Sequence, residues 1–385
     1  MQSQEVTSEL DLVDLYSGAG GLSLGGARAG FSVRGAVEFD SHAIKTHKTN
    51  FPKTIHIEKD IAGISGSALL TELGLGNKRL TGIIGGPPCQ GFSSIGRNEK
   101  DDPRNKLFVH FFRIVGEVQP KFFLAENVPG ILNRQYDYIR AEAFRYVENE
   151  YTILPPLTLS ANEYGAPTTR TRVFFIGFLP NEIKGLSVDD FIPPSRIKKI
   201  SVQNALQGLP QQIDPNWKSD DECWRKVGPI GNDYFSVRLK GKVPITVGDE
   251  IALTKLHTEN KVSGFIGTAH SRKVIKRFAK VNPGSYDSIS KCRRLELDGF
   301  CPTLRAGTGP DRGSYQAVRP IHPTEDRVIT PREAARLQGF PDWFQFPPTK
   351  WHSFRQIGNS VSPILAERIL SVIRGALGSE GSQEE

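Results

Sequence analysis

LDLVDLYSGAGG (10–21) is an apolar-rich run that ends in a glycine-rich turn, and a helical stretch follows it to Gly30. The pattern reads as a strand, a tight turn and a helix N-terminus. Glycine lets a backbone approach a ligand closely, and the first turn of a helix offers unpaired N–H groups. The next run, SVRGAVE (32–38), ends in Glu38, twenty residues after Gly18. A carboxylate in that place accepts hydrogen bonds from ribose hydroxyls. Together the turn and Glu38 indicate a nucleoside-bearing cofactor. They do not separate NAD from S-adenosylmethionine, and a purely structural turn stays open beside both.

Outward from this unit, apolar runs keep alternating with amphipathic segments. The runs are TIHI (54–57), LTGIIGG (80–86), KFFLAEN (121–127), YTILPPLTL (151–159) and RVFFIGF (172–178). Between them lie KLFVHFFRIVGEV (106–118) and YDYIRAEAFRYVENE (136–150). Strands alternating with helices imply βαβ units, hence an α/β fold with a mainly parallel sheet covered on both faces. After about residue 180 the pattern breaks into Pro-, Gly- and Lys-rich mixed segments, read as a smaller irregular domain with short strands. Regular structure returns at TPREAARLQGF (330–340), where Thr330 is placed to cap and Pro331 takes the first helical position. A final amphipathic helix is expected over VSPILAERILSVIRGAL (361–377), with a disordered acidic tail after it.

Composition narrows the function classes. The chain has 385 residues, 38% hydrophobic and 24% charged, which fits neither a disordered nor a membrane protein. No apolar run reaches the roughly 18 residues of a membrane-spanning helix, and the N-terminus lacks a signal-type apolar core. The four cysteines, Cys89, Cys223, Cys292 and Cys301, form no CxxC pair, so neither a disulfide framework nor a structural metal site is expected, and a reducing cytoplasm is the simplest compartment. The net charge of +7 is uneven: residues 181–300 carry 20 Lys and Arg against 14 Asp and Glu. Residues 270–294 hold eight basic side chains and one acidic one, which points to a polyanion such as nucleic acid or, more plainly, to a solvated face.

Four segments carry chemistry. GGPPCQGFSS (85–94) puts Cys89 just past the end of a strand, on a turn stiffened by two prolines, with Gly91 and Gly96 loosening the segment after it. That suits a nucleophile better than a core thiol. AENVPG (125–130) lands Glu126 on the same sheet edge, where a carboxyl beside a thiol can hold a proton. NEYGAPTTRTRVFFIGF (162–178) brings Arg170 and Arg172 into a strand on one face, able to hold a carbonyl or a phosphate. The glycine turn with Glu38 is the fourth.

In this order, DLYSGAGG (14–21), VEFD, KDI (59–61), GGPPCQGFS, AENV, YGAPTTRTR, PREAARLQGFPD (331–342) and RQIGNSVSP (355–363) resemble the DNA (cytosine-5) methyltransferases of bacterial restriction-modification systems across nearly the whole chain. Thr168 stands where that family usually has Gln. The resemblance implies a Rossmann-like S-adenosylmethionine-dependent catalytic domain over 1–180 plus 325–385, with a target-recognition domain inserted at 181–324. It implies that Cys89 adds to carbon 6 of a flipped-out cytosine, that Glu126 holds or protonates ring nitrogen 3, and that Arg172 holds the carbonyl oxygen with Arg170 close by. Carbon 5 then takes the methyl group, and S-adenosylhomocysteine is the product. For the cofactor it implies Glu38 on the ribose, Asp60 on the adenine amino group, Tyr16 and Phe39 as walls, Gly18, Gly20 and Gly21 in the turn, and Pro88, Asn359 and Ser360 nearby. For DNA it implies Thr303 of the Thr303-Leu304 pair near a phosphate, beside the basic candidates Arg272, Lys273, Lys276 and Arg277.

The expected partner is duplex DNA, with a cognate restriction endonuclease acting on the same site without contact, no membrane, and a monomeric enzyme in the bacterial cytoplasm. A nicotinamide oxidoreductase would explain the turn and Glu38 but not PPCQG, ENV or the basic insert. A DNA-binding protein without catalysis would not need Cys89, Glu126 and Arg172 intact. A transfer-RNA methyltransferase of the same superfamily stays open at this level.

Overall fold

The computed structural model describes residues 10–76, 78–88, 105–216, 224–241, 243–306 and 319–377. Cys89, Cys223 and all but the last residue of segment 91–105 lie outside the described residues. The first part alternates as the sequence pattern requires: β1 (Asp11–Leu15), α1 (Gly21–Arg28), β2 (Ser32–Val37), α2 (Ser41–Asn50), β3 (Ile55–Ile57), α3 (Gly66–Glu72), β4 (Gly82–Gly85), α4 (Lys106–Val118) and β5 (Phe122–Asn127). These strands are parallel, in the order β3-β2-β1-β4-β5. The order reverses between β1 and β4, and such sheets bind ligands outside the carboxyl ends of the strands at that point.

After α5 (Asp137–Phe144) come β6 (Thr152–Ile153), β7 (Leu157–Ser160) and β8 (Thr171–Phe178). Here the sheet departs from a purely parallel reading. β8 runs antiparallel to β5, and β6 and β7 both pair antiparallel with β8, completing eight strands. No helix crosses over between β7 and β8, and only a crossover lets successive strands run parallel. The run at 151–159 is two strands instead of one, because Pro155 and Pro156 cannot donate to a ladder.

Alternate side chains of each strand enter opposite cores. Leu12, Ile84, Leu124 and Phe174 face one; Val13, Ile83, Phe123 and Val173 face the other, against Phe108, Phe112 and Ile139 of α4 and α5. The first core is closed by the chain's end: α10 (Pro331–Gln338), α11 (Lys350–Asn359) and α12 (Pro363–Leu377), with α12 packed along α1. Thr330 and Glu333 cap α10 reciprocally, with Pro331 at its first position. Arg332 donates to the carbonyls of Ser263, Pro341 and Phe344, and Arg336 forms a fully buried pair with Asp342, so both arginines of PREAARLQGFPD are internal ties.

The insert is more helical than its sequence suggests. It contains α6 (Val202–Leu206), α7 (Tyr234–Lys240), α8 (Glu250–Glu259) and α9 (Arg272–Phe278), and one two-stranded pair of β9 (Arg225–Lys226) with β10 (Lys261–Val262). Helices of five to ten residues are too short to show a sustained period; caps at Ser201, Asp233, Asp249 and Ser271 start them instead. Val202, Phe235, Leu239 and Phe265 join the first core, while Phe278, Cys292, Ile321 and Val328 form a small separate cluster. Among the described residues no helix is long and apolar enough to cross a membrane, and no group of three metal-binding side chains occurs.

Candidate active site

The glycine turn is tight for a packing reason. Gly20 has φ 100°, and a Cβ there would lie 2.5 Å from the Phe51 ring. Gly21 faces the Val361 carbonyl, where a Cβ would stand at 2.4 Å, so the segment after α11 returns to the first strand as the sequence reading requires. Beside the turn, at the carboxyl ends of β1 and β2, opens a cavity of about 470 Å³. Tyr16, Glu38, Phe39, Asp60 and Pro88 line it. Gly18 donates to Glu38 from behind the wall, Ser360 packs against Gly21, and Gly20, Gly21, Asn359 and Ser360 are not among the lining residues.

Glu38 is held from both sides. Gly18 N–H donates to its Oε2 and Asp40 N–H to its Oε1, each at 2.8 Å. Burial raises the Glu38 carboxyl above the usual range, and these two N–H groups oppose the rise. Phe39 is 74% exposed, an unusual state for a large ring and one that leaves its face free to stack. Asp60 is exposed and uses one oxygen to cap the turn at Ile61–Gly63. A free ring face, a carboxylate at the end of β2 and a second carboxylate opposite fit a nucleoside. Asp40, His42, Lys59, Ile61, Leu107 and Arg355 are also in the wall, and the sequence reading assigned none of them.

On the next strand ends stands a second constellation. Glu126 closes β5 and is 8% exposed. Its Oε1 is 2.8 Å from Arg172 Nε on β8. Burial raises the Glu126 carboxyl, and Arg172 and Arg170 hold it back, which leaves an acid able to carry a proton nearer neutrality than a free glutamate. Gly86 lies against Glu126, where a Cβ would come within 3.1 Å of Oε2, and Asn127 Nδ2 donates to Pro87 O at 3.2 Å. The strand end leading to Pro88 is thus tied to the strand end bearing Glu126. Arg170 is turned inward, 2% exposed, donating to Leu304 O and Asn359 O. Both arginines act on the Glu126 carboxyl, Arg172 by direct contact, while Arg170 also joins the insert to the end of α11. Cys292 and Cys301 are buried, and burial pushes both thiols up, away from nucleophilic use.

A sequence profile of the C-5 cytosine-specific DNA methylase family matches residues 10–375. The chain belongs to that family. It is 38% identical, over 95% of its length and 84% of the relative's, to the type II methyltransferase M.XorII of Xanthomonas oryzae pv. oryzae. It is 33% identical to the type II methyltransferase M.DdeI of Desulfomicrobium norvegicum, covering 94% and 87% of the two chains. Among solved structures, a protein described as a DNA modification methyltransferase encoded within an E. coli prophage superposes with a TM-score of 0.87 at 50% identity, over 96% of this chain and 99% of that one. The S. pombe Dnmt2 methyltransferase shares the fold, with a TM-score of 0.63 at 16% identity over 96% and 100%.

Two further features of this methylase escaped the sequence reading. Beneath the glycine turn runs a buried chain of hydrogen bonds. Ser23 Oγ donates to Asp14 Oδ2 at 2.6 Å; Ser23 Oγ meets His47 Nε2 and His47 Nδ1 meets His56 Nε2, each at 2.9 Å. With the serine proton given to Asp14, His47 donates from Nε2, and a neutral His47 then accepts at Nδ1. Burial pushes its pKa well down, in agreement. Burial also pushes the Asp14 carboxyl up to about 7.

The basic segment of the methylase is divided. Arg272, Lys273 and Lys276 are exposed on α9. Arg277 turns inward to Asp287, with Nε 2.6 Å from Oδ1 and no exposure left on the aspartate side chain. Unlike its neighbours, Arg277 has an acidic partner among the described residues, although its side chain keeps 23% exposure. Asp287 also accepts from Ser290 N–H and Oγ, and so braces a turn that leaves Tyr286 and Ile289 outside, 63% and 68% exposed. Thr303 is half-buried beside Leu304, whose carbonyl accepts from Arg170.

Proposed function

We propose that the chain is the modification enzyme of a restriction-modification system, using S-adenosylmethionine to methylate carbon 5 of a cytosine flipped out of duplex DNA. The observation that carries this reading is one sheet edge with two sites: the nucleoside-shaped cavity walled by Glu38, Phe39 and Pro88, and the buried Glu126–Arg172 pair beside it. Cys89 is the residue after Pro88 and lies outside the described residues. When bound, S-adenosylmethionine supplies an electrophilic methyl group.

The chain's own groups then divide the work. The Cys89 thiolate adds to carbon 6, Glu126 holds the proton at ring nitrogen 3, and Arg172 donates to the carbonyl oxygen. These interactions make carbon 5 nucleophilic; after it takes the methyl group it loses its proton to a base, and the carbon–sulfur bond breaks. Arg170 acts by holding the insert to the end of α11. Residues 181–324 serve as the reader, with Arg272, Lys273 and Lys276 on phosphates and the braced turn at 286–291 as its exposed apolar tip. The enzyme works as a monomer in the cytoplasm, and the partner endonuclease shares its site without touching it.

The test is a duplex containing 5-fluorocytosine, since fluorine cannot leave as a proton. Wild type plus S-adenosylmethionine forms an adduct that survives a denaturing gel, and Cys89→Ala forms none while still binding DNA. Methyl transfer by Cys89→Ala at the normal rate removes the mechanism. Transfer to RNA but not to duplex DNA removes the substrate assignment.

A further inference from the structure

Arg355 lies in α11, yet it lines the cavity formed by the first three strands. Its Nη1 is 2.9 Å from Asp40 Oδ2. Asp40 has three tasks at once. Its Oδ1 accepts from His42 N–H and Ala43 N–H at 3.0 Å and so caps α2. Its Oδ2 holds Arg355, and its own N–H donates to Glu38 Oε1. The same end of α2 is clasped twice more by α11. His352 packs against His42 with ring centroids 3.8 Å apart and the rings tilted by 30°, and Gln356 Nε2 donates to His42 O at 3.1 Å. The chain's far end therefore bears on the loop that aims the Glu38 carboxylate.

We propose that Arg355 is a positioning residue for the cofactor: its ion pair with Asp40 fixes the loop after β2 and thereby the Glu38 carboxylate that faces the ribose. The inference rests on the reading of the cavity as the nucleoside site. A buried carboxylate accepts well only while its donors keep their geometry, and one of the donors to Glu38 is the Asp40 backbone. The Arg355 side chain is 38% exposed, so its effect is modest and arises from aim, not from a buried charge.

Calorimetry with S-adenosylhomocysteine on the full chain tests this. Asp40→Asn keeps an oxygen for the α2 cap but loses the ion pair, so it separates positioning from folding. Arg355→Gln and Asp40→Asn should each weaken binding about fivefold, and the double variant should be no weaker than either single. Arg355→Lys should stay within about twofold of wild type, because charge persists. A loss in Arg355→Gln without one in Asp40→Asn means that Arg355 touches the ligand itself and overturns the proposal. Losses that multiply in the double variant also overturn it. Glu38→Ala is the control. If it weakens binding while Arg355→Gln and Asp40→Asn do not, only the positioning role falls; if it does not weaken binding, the cavity reading falls as well.

Discussion

Arg172 Nε and Glu126 Oε1 stand 2.8 Å apart across the antiparallel pair of β5 and β8, with side chains only 12% and 10% exposed. An ion pair this far withdrawn is costly to break from one side. Burial raises the Glu126 carboxyl above the ordinary range, while Arg172 opposes the rise.

Glu126→Gln keeps the shape and removes the titratable oxygen. It should lower kcat by roughly 100-fold or more, the usual scale of a positioned acid–base group, while S-adenosylhomocysteine affinity changes less than about twofold. Glu126 is outside the cavity wall, so the two readouts separate. Single-turnover methylation at a near wild-type rate would remove Glu126 from the chemistry.

Glu38→Ala and Asp60→Ala should each weaken cofactor binding by about 1–3 kcal/mol, because cofactor polar groups lose a partner in a partly desolvated site. Asp60→Ala should also loosen the turn at Ile61–Gly63, which it caps, so its melting temperature drops slightly as well. Unchanged affinity in both variants would place the nucleoside elsewhere.

Much of this site was legible because its parts are local. The strand, the glycine turn and Glu38 lie within thirty residues, and the ends of two neighbouring strands bring Glu126 and Arg172 together. Strand direction was not legible, since a period of two is the same for a parallel and an antiparallel strand. Arg355 was invisible for another reason: it meets Asp40 across 315 positions, and only the return of α11 to the first turn brings them together. The inward turn of Arg170 was hidden likewise, because its acceptors, Leu304 O and Asn359 O, belong to distant segments.

Asp14 carries a pH signature. Its carboxyl has no exposure and burial pushes its pKa up to about 7 from 3.8. Between about pH 4 and 7 the folded state therefore holds a proton that the unfolded chain has released. Stability must fall as pH rises through that window, the reverse of a salt-bridged aspartate. Asp14→Asn keeps an acceptor for Ser23 Oγ and removes the titration. Its stability relative to wild type should grow from pH 5 to pH 8, by up to about 3 kcal/mol. Denaturant midpoints that stay parallel across this range would show that Asp14 is ionised throughout.

The basic helix α9 gives the sharpest contrast, because adjacent cations should behave in opposite ways. Lys273 and Lys276 are exposed and touch no acid among the described residues. Arg277 is paired with Asp287, whose side chain has no exposure. Burial opposes the charge on Asp287, yet the donors from Arg277 and Ser290 outweigh it and bring that carboxyl down to about 2. Lys273→Ala or Lys276→Ala should leave folding unchanged, weaken binding to every duplex alike, and lower the slope of log affinity against log salt by about one unit for each phosphate no longer neutralised. Arg277→Met should instead destabilise the fold by about 3–5 kcal/mol, since it strands a buried carboxylate without its partner. That penalty should shrink as pH falls toward the ordinary aspartate range, where Asp287 can be neutralised by a proton. A companion Asp287→Asn should recover much of the loss, because the charge that needed Arg277 is gone. Melting curves and salt titrations on the same variants read both effects. An Arg277→Met protein with wild-type stability and a reduced salt slope would return Arg277 to the DNA-contacting face and make Asp287 a bystander.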